Sequence, residues 1–288
     1  MLDIQEIYTP TSLTEALQLL HETKPRVLAG GTDIVVSMRN RVQEDVSLLA
    51  LGRIRELQGI RMKGQELAIG AMTPFTDIIE HELILKYMPV LSEACLTIAS
   101  PQIRHAATIG GNIVNAAVSA DSIPPLLLYD AEAEIQSVQG VRRIPLKDLF
   151  SGPGKTILQV DELLTAILIP QNTLGNLSAH YIKYSVRRSM DLAVLGIGVA
   201  LSLQEGKLKQ LRVALGVAAP VPLRLLNDED WAGRVPDEDL LEEMIREIER
   251  HTKVRDSWRA SREYREHLIP VLIREAFDIC LKQAEDRS

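Results

Sequence analysis

Leu28-Ala29-Gly30-Gly31-Thr32-Asp33-Ile34 is the stretch on which the reading of this chain turns. The apolar run Arg26-Val27-Leu28-Ala29 reads as a buried strand, the glycine pair with Thr32 and Asp33 as the turn that ends it, and Ile34 as the start of a helical stretch. Upstream, Ser12 and Glu15 have the spacing of a capping box. Leu13, Ala16, Leu17 and Leu20 then form one apolar stripe, which predicts a helix to about Thr23 with Pro25 stopping it. Downstream, Val46 to Leu51 reads as another short buried strand. Such a succession makes a small α/β unit with parallel strands. Its glycine turn falls at the carboxyl end of a strand, where folds of this kind bind ligands.

A second turn of similar make-up, Thr108-Ile109-Gly110-Gly111-Asn112, lies in a small, polar stretch from Ser100 to Ala120 that reads as a loop. Glycines admit positive φ and let backbone N–H groups approach an anion, while Thr and Asn side chains add donors. Either turn alone is most often just a turn; two facing each other would hold both halves of a pyrophosphate. The other phosphate motifs fail on spacing. Neither turn is G-x-G-x-x-G, and Gly154-Lys155-Thr156 lacks the first glycine of a P-loop because position 149 is Leu149, so it reads as a turn into a strand.

The middle of the chain begins a second unit near Leu57, with a strand from Glu66 to Ala71, Thr73 as N-cap and Pro74 as first residue of a helix. Leu83 to Ala99 reads as largely helical, Pro124-Pro125 opens a short helix ending near Tyr129, and Ala133–Val138, Arg143–Leu146 and Leu163–Ile169 read as strands. From Ser178 longer strands follow, Tyr181–Val186, Leu192–Leu203 and Leu208–Val217, with Glu205-Gly206 as a hairpin turn; this is an antiparallel sheet. Asp237–His251 and Ser257–Lys282 are amphipathic helix that would cover it. The expectation is an α+β chain of three units, residues 1–56, 57–174 and 175–288.

With 288 residues, 46% of them hydrophobic, the chain can bury a real core, and a net charge of −7 argues against a nucleic-acid binder, which needs a basic stripe. Cys95 and Cys280 are too few for a disulfide framework, a four-thiolate zinc site or an iron–sulfur cluster, so any metal redox centre belongs on another chain. The sequence has no leader pattern and no apolar run of membrane-span length, which makes a soluble cytoplasmic protein the expectation. No His, Cys and carboxylate constellation suggests acid–base chemistry.

Leu28–Ile34 and Ile103-Arg-His-Ala-Ala-Thr-Ile-Gly-Gly-Asn112, with Ser119-Ala-Asp121 and Pro125 beyond, resemble the two flavin signatures of the FAD-binding subunits of molybdenum hydroxylases, the xanthine dehydrogenase and carbon monoxide dehydrogenase type. The resemblance continues in order through Thr156, Glu162 and Ile169-Pro170, then Lys183 to Ala193, Asp256 to Arg265 and Val271 to Ala276. It implies a two-subdomain FAD-binding domain of the PCMH type, then a C-terminal antiparallel sheet with helices similar to that of carbon monoxide dehydrogenase flavoproteins. It further implies non-covalent FAD, with Val27, Leu28, Ala29, Gly30, Gly31, Thr32, Asp33 and Ile34 as the first binding loop and Thr108, Gly110, Gly111 and Asn112 as the second. Val114 and Asn115 would follow the cofactor, Asp121 would hydrogen-bond it, Leu164 would lie against the flavin region and Lys183 near the isoalloxazine ring.

Without the resemblance, Asp121 reads equally well as a helix N-cap, Leu164 as core, and Lys183, Arg187 and Asp191 as a solvated strand face. His105 stands where many relatives have Asn, Met190 where some have an acid near the nicotinamide site, and the four-cysteine insertion of the benzoyl-CoA reductase branch is absent. The implied activity is that of an oxidoreductase subunit. It would receive electrons from the 2Fe-2S clusters of a small subunit, beside a molybdopterin-binding large subunit, and pass them to NAD or another acceptor, in a hetero-trimer that is single or doubled. Two other readings stay open: a self-sufficient flavoprotein reductase of the same FAD-binding superfamily, and a flavin-free assembly subunit.

Overall fold

The computed structural model describes residues 4–40, 46–175, 177–187 and 189–287. The chain opens with β1 (Ile4–Tyr8), α1 (Leu13–Thr23), β2 (Arg26–Leu28), α2 (Ile34–Arg39) and β3 (Val46–Ala50), and the strands form a parallel sheet in the order β1-β3-β2. Helix α1 starts where its cap predicts, with Ser12 Oγ accepting from Glu15 N at 3.2 Å, while the Glu15 carboxylate accepts from Thr11 N at 2.9 Å, not from Ser12 N. Ala16, Leu17 and Leu20 are buried in a core with Leu49, Leu51 and Ile54. One expectation fails here. Strand β2 is not buried: Arg26 and Val27 are exposed, because β2 is the edge of the sheet and borders an open cleft.

The next segment holds β4 (Ile60–Lys63), β5 (Glu66–Gly70), α3 (Phe75–Glu80), α4 (Glu82–Tyr87), α5 (Pro89–Leu96), α6 (Pro101–Ala106), α7 (Ile109–Val114) and α8 (Ile123–Leu128). Strands β6 (Glu132–Ser137) and β7 (Gly140–Pro145), the small hairpin β8 (Phe150–Gly152) and β9 (Lys155–Thr156), and β10 (Leu163–Ile169) follow. The five-stranded sheet has the order β4-β5-β10-β6-β7 with every neighbour antiparallel, and its inward residues, among them Leu67, Ile69, Ile135 and Ile167, pack on Phe75, Ile109 and Leu126 from the helices. The turn into β9 is as expected.

Three local expectations are corrected in this segment. Strand β4, unread in the sequence, makes a hairpin with β5 around Gly64 at φ +65°. Helix α3 begins at Phe75 with Pro74 outside it as N-cap, since Thr73 is held elsewhere: its hydroxyl donates to Gly59 O (3.2 Å) and its carbonyl accepts from Ile109 N (3.1 Å). The Ser100–Ala120 stretch is not simply a loop; it contains α6 and α7, and the glycine pair sits in the first turn of α7.

The last segment is β11 (Ser178–Tyr184), β12 (Leu195–Gln204), β13 (Lys207–Gly216), β14 (Leu223–Leu225), α9 (Asp228–Trp231), α10 (Glu238–His251) and α11 (Arg262–Glu285). Its four-stranded antiparallel sheet runs in sequence order. One face carries Ile197, Val199, Val213 and Leu215 under Met244, Ile248, Ile273 and Phe277 of the two long helices. Asp237 caps α10, accepting from Leu240 N at 2.9 Å. The second long helix starts at Arg262, later than expected, because Ser261 caps it and Ser257 bridges Ala260 in a tight turn before it. The other face of the sheet meets α8, where Gly198 leaves room for Leu128. No helix among the described residues is long and apolar enough to cross a membrane.

Candidate cofactor cleft

Between the parallel sheet and the five-stranded sheet lies a cleft of about 370 Å³, within the usual size range of a small-molecule site. Its first wall is the turn after β2. The second is the start of α7, and the third runs from Gly154 along 158–164 into β10. Close approach of backbones explains the glycines: a Cβ on Gly30 would lie 1.9 Å from Ala106 O, one on Gly110 2.6 Å from both Ala71 O and Ala71 Cβ, and one on Gly111 3.4 Å from Ala29 Cβ. Gly31 is needed for a different reason, its φ of +75°. The two signatures thus pack directly against each other, although Gly30 and Ala106 are 76 positions apart in sequence.

Their donors differ in availability. In the first turn, the N–H groups of Gly31, Thr32 and Asp33 meet no acceptor among the described residues, while Gly31 O and Asp33 O already accept from Val35 N and Ser37 N. In the second, Ile109 N donates to Thr73 O, Gly110 N to Ala71 O (2.8 Å) and Gly111 N to Thr108 Oγ1 (3.1 Å). The expectation that both turns would offer backbone N–H groups therefore holds for the first alone; the second contributes smallness and side chains. Asn112 Oδ1 accepts from Ser122 Oγ at 2.7 Å, which fixes the amide at the cleft wall. A three-donor turn beside a glycine-lined wall suits a pyrophosphate, which brings acceptors and no bulk near the backbone. The residues present fit a dinucleotide cofactor.

Val27, Ala29, Gly30, Gly31, Thr32, Asp33, Ile34, Thr108, Gly110, Gly111, Asn112, Val114, Asn115 and Leu164 all line the cleft. Leu28 does not line it; its side chain packs beneath Gly31. Asp121 and Lys183 do not line it either, and they meet each other instead of a solvated face. Lys183 Nζ donates to Asp121 Oδ2 and to Thr97 O, both at 2.9 Å, and Tyr181 OH donates to Asp121 Oδ1 at 2.8 Å. Burial pushes the Asp121 carboxyl up, and Lys183 and Tyr181 draw it back only in part. Burial, then the neighbouring Asp121, holds the Tyr181 phenol well above its ordinary range. The N-cap residue of α8 is Ser122, with no side-chain capping hydrogen bond, so Asp121 is not the N-cap of that helix.

Arg187 is exposed and shapes its own loop with Asp191, whose carboxylate accepts from Arg187 N and Leu192 N. His105 is exposed and outside the cleft. Sequence reasoning missed Arg26, Ser37, Met72, Leu158 and Glu162 among the lining residues. Arg26 and Ser37 flank the first turn and were within reach of it; Leu158 and Glu162 arrive through the tertiary fold. Both cysteines are free and buried, and burial pushes both thiols up. No group of three or more metal-ligating side chains gathers among the described residues.

Residues 2–172 match the model of the FAD binding domain in molybdopterin dehydrogenase, and residues 180–279 match the CO dehydrogenase flavoprotein C-terminal domain. The chain is 36% identical over 278 residues to a xanthine dehydrogenase FAD-binding subunit of Escherichia coli O157:H7, covering 96% of this chain and 95% of that one. It is 30% identical over 291 residues to the carbon monoxide dehydrogenase medium chain of Afipia carboxidovorans, with 98% of each covered. A solved Cu,Mo-CO dehydrogenase superposes with a TM-score of 0.91 at 29% identity, covering 99% of this chain and 100% of that one. The cleft and these likenesses define an oxidoreductase component built around an FAD-binding domain. Within that class, the chain belongs to the family of FAD-binding medium subunits of xanthine dehydrogenase and carbon monoxide dehydrogenase type, molybdenum hydroxylase complexes.

Proposed function

We propose that this chain holds FAD non-covalently in the cleft, takes electrons from the 2Fe-2S clusters of a small partner subunit, and passes them to NAD or another acceptor. A molybdopterin-binding large subunit would complete the complex and oxidise the substrate. The observation that carries the reading is the first turn: Gly31, Thr32 and Asp33 line the cleft, their N–H groups meet no acceptor among the described residues, and the facing wall is glycine and Asn112. Bound FAD supplies the acceptance of electrons singly and their release in pairs.

The chain's residues bind and orient. Val27 and Ala29 to Ile34 form the first cradle, with Leu28 packed beneath Gly31; Thr108, Gly110, Gly111 and Asn112 form the second; Val114, Asn115 and Leu164 also line the cleft. Asp121 and Lys183 belong to the site in this reading, joined to Asn112 through the neighbouring Ser122. The exposure of His105 away from the cleft favours a cofactor held without a bond. Three sheets, one in each segment, support a division at 1–56, 57–174 and 175–288, and the cores join across it, the first taking in Met72 and Leu163 and the second Tyr181, Ala200 and Ala214. A cytoplasmic location is part of the proposal, and the two free, buried cysteines agree with a reducing compartment.

The test is an absorption spectrum of the purified chain, then heat release and identification of the cofactor. Stoichiometric FAD in the supernatant, without iron, is the expected result. A colourless chain that takes up no flavin from excess FAD overturns the proposal and leaves an assembly subunit in its place.

A further inference from the structure

Among the residues lining the cleft, three carry formal charge: Arg26, Asp33 and Glu162. Their sum is one negative charge, an unfavourable setting for a dianionic pyrophosphate, since like charges at close quarters oppose binding. Glu162 has a local reason to be there. Its Oε2 accepts from Gln159 N at 2.9 Å while its own N–H donates to Gln159 O at 3.1 Å, and these two bonds close the turn that carries the wall from Leu158 into β10. An acceptor is needed at that position, and the carboxylate brings a charge with it.

Arg142 stands outside the cleft on β7, 20 residues away in sequence, and meets Glu162 in a two-pronged pair: Nε donates to Oε1 at 2.7 Å and Nη2 to Oε2 at 2.8 Å. The Glu162 side chain is 12% exposed, against 38% for Arg142, so the carboxylate is the more enclosed partner. Planar, two-point pairing of this sort fixes orientation as well as charge. The Arg142 hydrogen bonds are the main reason the Glu162 carboxyl lies below its ordinary range; at neutral pH it is ionised and matched.

We propose that Arg142 is a positioning residue for cofactor binding, which cancels the Glu162 charge in the cleft wall so that the wall tolerates the diphosphate of FAD. The proposal rests on the FAD reading above. It differs from a purely structural strut, because the electrostatic role predicts that removing both charges is harmless whereas removing the arginine alone is not.

The experiment titrates FAD into flavin-stripped wild-type chain, Arg142→Gln, Glu162→Gln, the double variant and Arg142→Lys, reading Kd by quenching of flavin fluorescence and fold by circular dichroism. Arg142→Gln is expected to weaken FAD binding about tenfold, and the loss should shrink as salt rises. Glu162→Gln keeps an oxygen for Gln159 N and loses the charge, so it and the double variant should bind within about twofold of wild type, and Arg142→Lys should keep most of the affinity. Equal weakening in Arg142→Gln, Glu162→Gln and the double variant overturns the proposal in favour of a strut. No change in Arg142→Gln overturns it as well. If Arg142→Gln does not fold, Arg142→Met takes its place in the same comparison: weak binding that the added Glu162→Gln restores supports charge cancellation, and equal Kd with and without Glu162→Gln refutes it. Failure of wild-type chain to bind FAD at all is a separate result that strikes the cofactor reading.

Discussion

Replacing Gly30 with alanine tests the close approach on which the cleft depends. The added Cβ would sit 1.9 Å from Ala106 O and 2.6 Å from Ala106 C, where an ordinary contact needs about 3.5 Å. Both sides of this collision are backbone, so no side chain can swing away, and the turn and the end of α6 must separate by more than about 1 Å. Overpacking of this kind costs about 3 kcal/mol, the upper end of its usual range, which lowers Tm by about 6–12 °C. The larger effect falls on the cofactor. A displaced turn loses the alignment of Gly31, Thr32 and Asp33 N–H with a diphosphate, and losing two charge-assisted bonds at about 1.5 kcal/mol each weakens FAD binding about a hundredfold. Two companions grade the argument. Gly31→Ala has 3.5 Å of room but a φ of +75°, so only backbone strain of about 1–2 kcal/mol applies. Gly52→Ala meets nothing within 4 Å and should be silent. The assays are differential scanning calorimetry and flavin-fluorescence titration. An unchanged Tm in Gly30→Ala refutes the close approach, and a lowered Tm with wild-type Kd refutes the role of the turn in holding FAD.

Arg212, on β13, donates to both oxygens of Asp228, to Leu128 O, and reaches Asp130 at 3.0 Å, so Arg212→Gln should cost about 3–5 kcal/mol by urea denaturation at pH 7. Burial pushes the Asp228 carboxyl up, but Arg212, Arg224 and Gln210 together outweigh it and the net shift is downward. The stabilisation is then complete above the unfolded carboxylate value of about 4 and is lost as pH falls through the depressed value, so the gap between variant and wild type should narrow as pH falls below the unfolded value. A gap that stays constant there contradicts the pairing. Lys183→Met should cost a similar 3–5 kcal/mol or so at pH 7 by stranding Asp121, whose enclosed pair with Lys183 has side chains 6% and 8% exposed. Here the sign is reversed. The stranded carboxyl is raised further, its neutral form needs no counter-ion, and stability should recover on acidification through that raised value; a loss that stays constant across a denaturation series from pH 7 into the acid range would count against it.

What the sequence by itself determined was set within a few residues. The cap on α1 from Ser12, the Glu205-Gly206 hairpin and the glycine turn after β2 each depend on a few neighbouring positions, and all are found in place. Membership of the family was legible for the same reason, since its signatures are short local runs kept in order along the chain. Tertiary structure decided the rest. That the N–H groups of Ile109 and Gly110 at the start of α7 are already taken follows from the arrival of Thr73 and Ala71, more than thirty positions upstream. Burial of Lys183 with Asp121 follows from docking the third sheet on α8, which turns an alternating strand residue from solvent toward an acid 62 positions away. The edge position of β2 depends on strand order, and the meeting of Arg142 with Glu162 on the pairing of β7, β6 and β10. Charge balance and donor availability are sums over neighbours in space, and a sequence specifies those neighbours only once its sheets have chosen their register.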